Sequence, residues 1–199
     1  MRSEPVKSKL HPDQPRCTLL DRNCTEFSAI DKQKKFELSE KSDEGKIVVH
    51  CSVNGEALCL KKLDKNVYGY FKLKRCADYA ILVKDAQGYH IHVIEFTKTI
   101  KTSTWIGKVL PQFEGGLNNA QLLASYLGIE DPSYTTHLIF ENDKRKESEE
   151  SNPALGHRRI IDPSAKNEWN ASSLSFEHCG IATSKKVQHR FSEILEYVI

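Results

Sequence analysis

Two apolar runs separated by a short polar turn constrain this chain more than any other feature. Residues 76–83 read Cys-Ala-Asp-Tyr-Ala-Ile-Leu-Val, and residues 90–98 read His-Ile-His-Val-Ile-Glu-Phe-Thr-Lys. Both are rich in β-branched and aromatic residues, which suit a pleated strand. Between them Asp85 and Gly88 stand where a hairpin loop takes such residues. A four-residue loop at 85–88 pairs Lys84 with Tyr89 and sets Asp78 directly opposite Glu95. Directly opposed side chains on an antiparallel ladder have Cβ atoms roughly 4.5–5.5 Å apart, and like charges there repel. Asp78 and Glu95 are the only acids in these two runs, so the pair calls for a compensating cation. Paired carboxylate oxygens suit Mg²⁺ or Mn²⁺. A one-residue slip of register would turn Glu95 to the other face of the sheet, where it is merely solvated.

The rest of the composition narrows the class. A chain of 199 residues supports one sizeable core. Its net charge of +2 announces no basic field over the whole molecule, but basic residues cluster at Lys61-Lys62, 72–75, 98–101 and 157–159, where phosphates are tracked locally. The six cysteines show no CxxC spacing. With Met1-Arg2-Ser3-Glu4-Pro5 unlike a secretory leader, they read as reduced thiols of a cytoplasmic protein. No apolar run approaches the roughly 18 residues of a membrane span, which excludes a helical membrane protein.

Along the chain, the polar, proline-bearing residues 1–16 read as a flexible arm and residues 17–199 as a single domain. Phe27, Ile30, Phe36 and Leu38 among charged residues fit a modest helix over 27–40. Residues 47–53 then form a strand, and Asn54-Gly55 predicts a hairpin returning through Glu56 to Leu63. Tyr68 to Lys74 is a further strand candidate. After Lys101 the period shifts from 2 to 3.6. Trp105, Val109, Phe113, Leu117, Ala120, Ala124 and Leu127 trace an amphipathic helix capped at Gly128. Gly115-Gly116 within it predicts either close approach to a strand or a break, since each glycine costs a helix ~1 kcal/mol relative to alanine. Tyr134 to Phe140 reads as a central strand, 141–152 as a charged loop, Leu174 to Ala182 as a strand and Ser184 to Val198 as a closing helix. The order predicts an α/β (α+β) domain with a mixed sheet flanked by helices.

An acid on one strand, a glutamate on the next, then a long helix and another strand together resemble the PD-(D/E)XK nuclease superfamily over residues 26–140. Asp78 matches the first acid of that motif and Glu95 the second. The resemblance implies a restriction-endonuclease-like core. It implies a metal-dependent endonuclease that holds Mg²⁺ or Mn²⁺ on Asp78 and Glu95 and hydrolyses DNA, in preference to RNA, in restriction or defence. It also implies action as a homodimer or beside a partner protein. Thr97 stands where the motif has lysine and carries no positive charge. Lys98 is the nearest substitute, although it points to the opposite face without a bulge; Lys74 and Lys101 are the others. Glu37 or Glu40 would serve as a further ligand or remain a solvated charge. The competing class is a nuclease-like fold without chemistry, binding DNA or a protein as an immunity- or antitoxin-type factor. Thr97 favours it and the acid pair disfavours it.

Other constellations have plainer readings. His90 and His92 share a strand face without a third ligand at useful spacing, so they read as a packed or edge pair. His178-Cys179 point to opposite faces and make a poor nucleophile. Gln112 and Gln121 are either backbone-reading or ordinary polar residues of the long helix, and 156–159 is a candidate phosphate contact or an exposed basic turn.

Overall fold

The computed structural model describes residues 8–21, 23–28, 35–42, 45–61, 63, 75–145, 169–177 and 179–199. Its strands are β1 (Thr25–Ser28), β2 (Lys35–Ser42), β3 (Gly45–Ser52), β4 (Glu56–Lys61), β5 (Tyr79–Lys84), β6 (Tyr89–Ile100), β7 (Ser133–Asp143), β8 (Ser173–Phe176), β9 (Gly180–Gln188) and β10 (Ile194–Val198). Helical segments are α1 (Pro15–Thr18), α2 (Thr102–Thr104), a π-helical turn at Trp105–Val109, and α3 (Leu110–Tyr126). A seven-stranded mixed sheet runs β1-β4-β5-β6-β7-β9-β8, and a second sheet runs β10-β3-β2. The protein is therefore a mixed α/β domain, and no described helix is long and apolar enough to cross a membrane.

The hairpin forms in the anticipated register. Lys84 pairs with Tyr89 and Tyr79 with Ile94, so Asp78, one residue before β5, faces Glu95. Asp85 builds the loop: its Oδ1 accepts the N–H groups of Gln87 at 2.7 Å and Gly88 at 3.1 Å. This side chain substitutes for missing ladder bonds, as Asp does in tight turns.

After β6 the chain crosses over through α3 and returns as β7, parallel to β6. Phe113, Leu117, Ala120 and Ala124 of α3 bury against Leu58, Ala80, Leu82, Ile91, Val93 and Leu138 on one face of the large sheet. Gly115 and Gly116 mark close approach. A Cβ on Gly115 would overlap the carbonyl oxygen of Arg75, and one on Gly116 would lie 2.7 Å from Val93 Cγ1 and 2.9 Å from Ala77 Cβ. The glycine pair thus lets the helix ride on the segment leading to Asp78, and the helix continues unbroken. Gly128 closes it with φ +75°, the left-handed cap that glycine adopts freely.

Opposite α3, the three-stranded sheet covers the other face. Phe36, Leu38, Ile47, Val49 and Cys51 pack on Ala57, Cys59, Ile81, Val83, Ile94, Phe96 and Ile139. Here several expectations fail. The helix expected over 27–40 is instead two strands, β1 and β2, where they are described. Phe36 and Leu38 face inward while Lys35 and Glu37 are exposed, a period of two set by pairing with β3. Asn54-Gly55 makes no hairpin: β3 pairs with β2 and β10, whereas β4 pairs with β1 and β5. The turn carries the chain from one sheet to the other, and Gly55, at φ +135°, lies against the backbone of Lys84.

The C-terminal expectations fail for a related reason. The strand expected over 174–182 is two strands, β8 and β9, paired antiparallel. In place of the closing helix, β9 runs on to Gln188 beside β7, and β10 lies parallel to β3. Val187, Phe191, Leu195 and Val198 have helical spacing, but neighbouring edges offered ladder partners that a helix cannot use. Glu141–Asp143 extend β7 instead of opening a loop.

Within the expected arm, residues 8–16 are packed. Leu10 is fully buried, Lys9 Nζ caps the carbonyl of Gly128, and Arg16 Nη1 donates to Tyr126 O at 2.7 Å. Both cations sit at the C-terminal end of α3, where the helix dipole favours them. Residues 1–7, the strand candidate at 68–74, His178 and the basic turn at 156–159 lie outside the described residues.

Candidate active site

Glu95 lies in β6 between Val93 and Thr97, on the face that receives α3. Its side chain is 1% exposed. Asp78 Oδ2 accepts the backbone N–H of Phe96 at 2.8 Å, which fixes this carboxylate beside Glu95. Burial is the first cause that holds the Glu95 carboxyl well above the usual carboxylate range, and the charge of Asp78 is the second. Lys108 opposes the shift, while Glu40 and a side-chain hydrogen bond with Asp78 add to it.

One Glu95 oxygen, Oε1, faces Lys108 Nζ at 3.6 Å. The other, Oε2, is buried without a hydrogen-bond partner. An unpaired buried carboxylate oxygen carries a large desolvation cost and is the atom a cation or a shared proton would satisfy.

Lys108 is the residue that reading the sequence missed. It belongs to the π-helical turn, which Trp105 anchors. Trp105 is 1% exposed and packs edge-on against Trp169, with ring centroids 5.0 Å apart, and against Phe113 at 6.3 Å. With that turn pinned, Lys108 projects from the turn back over the strand. The available signal was its place beside the buried stripe of Trp105 and Val109, immediately after the strand that carries Glu95.

The expected substitutes lie elsewhere. Lys98 stands three positions after Glu95, an odd offset, so strand alternation turns it to the Phe96 face. It lines a groove of about 650 Å³ together with Lys101, Lys108, Lys144, Glu40, Thr97 and Thr99. Lys101 is exposed just before α2, and Lys74 is outside the described residues. Of the two further acids, Glu37 is exposed on β2, while Glu40, on the same strand and not on a helix, reaches the groove.

The helical glutamines face inward: Gln112 Nε2 donates to Cys76 O at 3.4 Å, and Gln121 accepts from Cys179. Cys179 also donates to Asn118 at 3.1 Å, and burial raises its thiol to about 11, which suits no nucleophile. None of the six cysteines is disulfide-bonded.

Among the described residues no group of three or more His, Cys, Asp or Glu side chains is arranged to hold an ion. The Asp78–Glu95 pair nonetheless fits one, because it is a hard oxygen donor set with a buried, unsatisfied oxygen. Comparison with protein-family models, with curated proteins and with solved structures gives no match.

Proposed function

We propose that the protein is a metal-dependent endonuclease that hydrolyses DNA phosphodiester bonds. In this reading Asp78 and Glu95 hold Mg²⁺ or Mn²⁺, and Lys108 takes the role of the missing motif lysine. The observation that carries it is the buried, unpartnered Glu95 Oε2, set between a second carboxylate and a half-exposed ammonium. The run of antiparallel β4, β5 and β6, the α3 crossover and parallel β7 supports the resemblance to the PD-(D/E)XK superfamily.

A bound divalent ion lowers the pKa of water and offsets charge on the phosphate. The protein's own groups do the rest. Lys108 spans from Glu95 to the groove, where its ammonium is available to a phosphate oxygen. Lys98, Lys101 and Lys144 give the groove a basic wall that suits a nucleic-acid backbone. Thr97 leaves Glu95 without a charged neighbour two residues along the strand, and Lys108 supplies that charge from above. A domain with one such site would cut duplex DNA as a homodimer or beside a partner, in restriction or defence. Thiols free of disulfides accord with a cytoplasmic setting.

The test is cleavage of plasmid, linear and single-stranded DNA, and of RNA, with Mn²⁺ or with a chelator. Mn²⁺-dependent nicking of DNA is expected. Lys108→Met should lower turnover by roughly 10²-fold, the scale of one lost charge-stabilising group, while the Mn²⁺-induced rise in melting temperature persists. Lys98→Met should instead weaken binding in a salt-dependent way. A protein that binds DNA through the groove but never cuts it would replace this reading with the one Thr97 favours, a binder without chemistry. Failure both to bind and to cut nucleic acid would remove the two together.

A further inference from the structure

Three aromatic side chains form a hydrogen-bonded chain between the two sheets, on the face away from Glu95. His92 Nδ1 lies 3.0 Å from His137 Nε2, and His137 Nδ1 lies 2.8 Å from the hydroxyl of Tyr197. His92 comes from β6, His137 from β7 and Tyr197 from β10. His137 is fully buried. Its ring lies 5.2 Å from that of His92 and 5.5 Å, edge-on, from that of Tyr197. The sequence reading paired His90 with His92; the structure hydrogen-bonds His92 to His137, 45 residues away on β7.

We propose that His92, His137 and Tyr197 form an acid-sensitive latch that holds the three-stranded sheet on the seven-stranded sheet near neutral pH and releases it in mildly acidic solution.

The geometry dictates the sensitivity. Each neutral imidazole has one donor and one acceptor nitrogen, so the neutral chain satisfies His137 at both ends. One added proton puts a charge on or beside the His137 ring, which is fully buried. A second turns both facing nitrogens into donors, 3.0 Å apart. The surroundings do not relieve this. Lys185, paired with His137 across β9, is a cation. His90 faces His92 along β6, with ring centroids 6.4 Å apart. Asp85, the acid that acts on His92, is engaged by His90 Nε2 at 3.0 Å and by the N–H groups of its own loop. On the facing sheet, the Cys51 thiol and Tyr197 are each pushed up to about 12 by burial and remain neutral.

Consistent with this, burial holds His92 down at about 4, from an ordinary 6.5, with the charge of His90 as the second cause. His137 is lower still for the same first cause. Because the unfolded chain takes up protons at about 6.5 and the folded chain does not, stability is complete above 6.5. It falls progressively as the pH drops towards 4. The loss concentrates on β10, whose described ladder partner is β3 alone and whose Tyr197 hydroxyl ties it to the large sheet. The latch stands independently of the nuclease reading.

The test compares full-length protein at pH 7.5 and pH 5.0. Melting temperature should fall by roughly 5 °C or more for a domain of this size. Hydrogen exchange, corrected for intrinsic rate, should show residues 194–199 and 45–52 losing protection about tenfold or more, while 79–84 and 89–96 keep theirs. The double variant His92→Gln/His137→Gln should flatten the pH response. Tyr197→Phe should loosen residues 194–199 already at pH 7.5. Equal protection of β10 at both pH values, or an undiminished response in the double variant, would overturn the latch. Should the double variant fail to fold, imidazole resonances decide. Titration of either His92 or His137 above pH 6 in the wild-type protein with residues 194–199 still protected refutes the proposal, and proton uptake by both below pH 6 in step with loss of protection at residues 194–199 supports it.

Discussion

Glu95→Gln should abolish metal-dependent cleavage, by roughly 10³-fold or more, the scale lost when a preorganised charge is removed from an active site. The same substitution should make the metal-free protein more stable. Glu95 is buried beside Asp78, and its carboxyl is held above the usual range by that burial. The sign follows from linkage. An unfolded chain releases this proton near the ordinary value of 4.5, whereas the folded chain holds it to higher pH. Stability therefore falls as pH rises above 4.5, through the raised folded value.

Glutamine has no such proton to lose, and its amide can donate to Asp78. A gain of about 1–2 kcal/mol at pH 7.5 is expected, as relief of the carboxylate's desolvation and of its repulsion by Asp78 outweighs the attraction to the half-exposed Lys108 that is given up. The gain should vanish towards pH 4. Mn²⁺ should raise the melting temperature of the wild type by mass action and leave that of the variant unmoved. Thermal unfolding at two pH values, with and without Mn²⁺, reads all of this. Equal Mn²⁺ responses in the two proteins would remove Glu95 from the site.

Gly115→Ala should destabilise the protein, and here the sign is the informative quantity. In an unencumbered helix interior alanine is worth about 1 kcal/mol over glycine. At Gly115 the new methyl group would overlap the Arg75 carbonyl, a backbone atom with no rotamer to change. Overpacking of this kind costs about 1–3 kcal/mol and occasionally more, so a net loss of about 2 kcal/mol is expected from the upper part of that range. For a chain near 200 residues that is roughly 4–8 °C in melting temperature. The displaced helix also carries the turn bearing Lys108, and it rests on the segment that delivers Asp78. Cleavage should therefore fall further than stability alone accounts for. A stabilised Gly115→Ala protein would mean that helix and segment do not meet as described.

Much of the candidate site was legible before the fold. The hairpin register follows from local chemistry: Asp85 closes a four-residue loop, and strand alternation then dictates which face Glu95 takes. The long helix and its glycine pair were equally readable, because buried residues at three- and four-residue steps and a run without side chains need no partner to be recognised. Lys108 was not legible. Its distance from Glu95 depends on how the turn at Trp105–Val109 sits on the sheet, and the packing of Trp105 on Phe113 and Trp169 sets that.

The strands that were mistaken for helices show the same division. Val187, Leu195 and Phe36 are apolar at spacings that either a helix or a strand can use, and local propensity separates the two by fractions of a kcal/mol per residue. An available sheet edge outweighs that, since each ladder bond is lost if the segment coils into a helix. Asn54-Gly55 does bend the chain between β3 and β4, but whether its flanking strands pair with each other or with strands elsewhere depends on all the others present. Sequence alone determined the segments whose signal is local: the 85–88 loop, the facing acids and the amphipathic helix. Only tertiary structure decided which edge each remaining strand joined, which lysine met Glu95, and that His92 would meet His137 and Tyr197, because those outcomes rest on contacts between residues far apart in the chain.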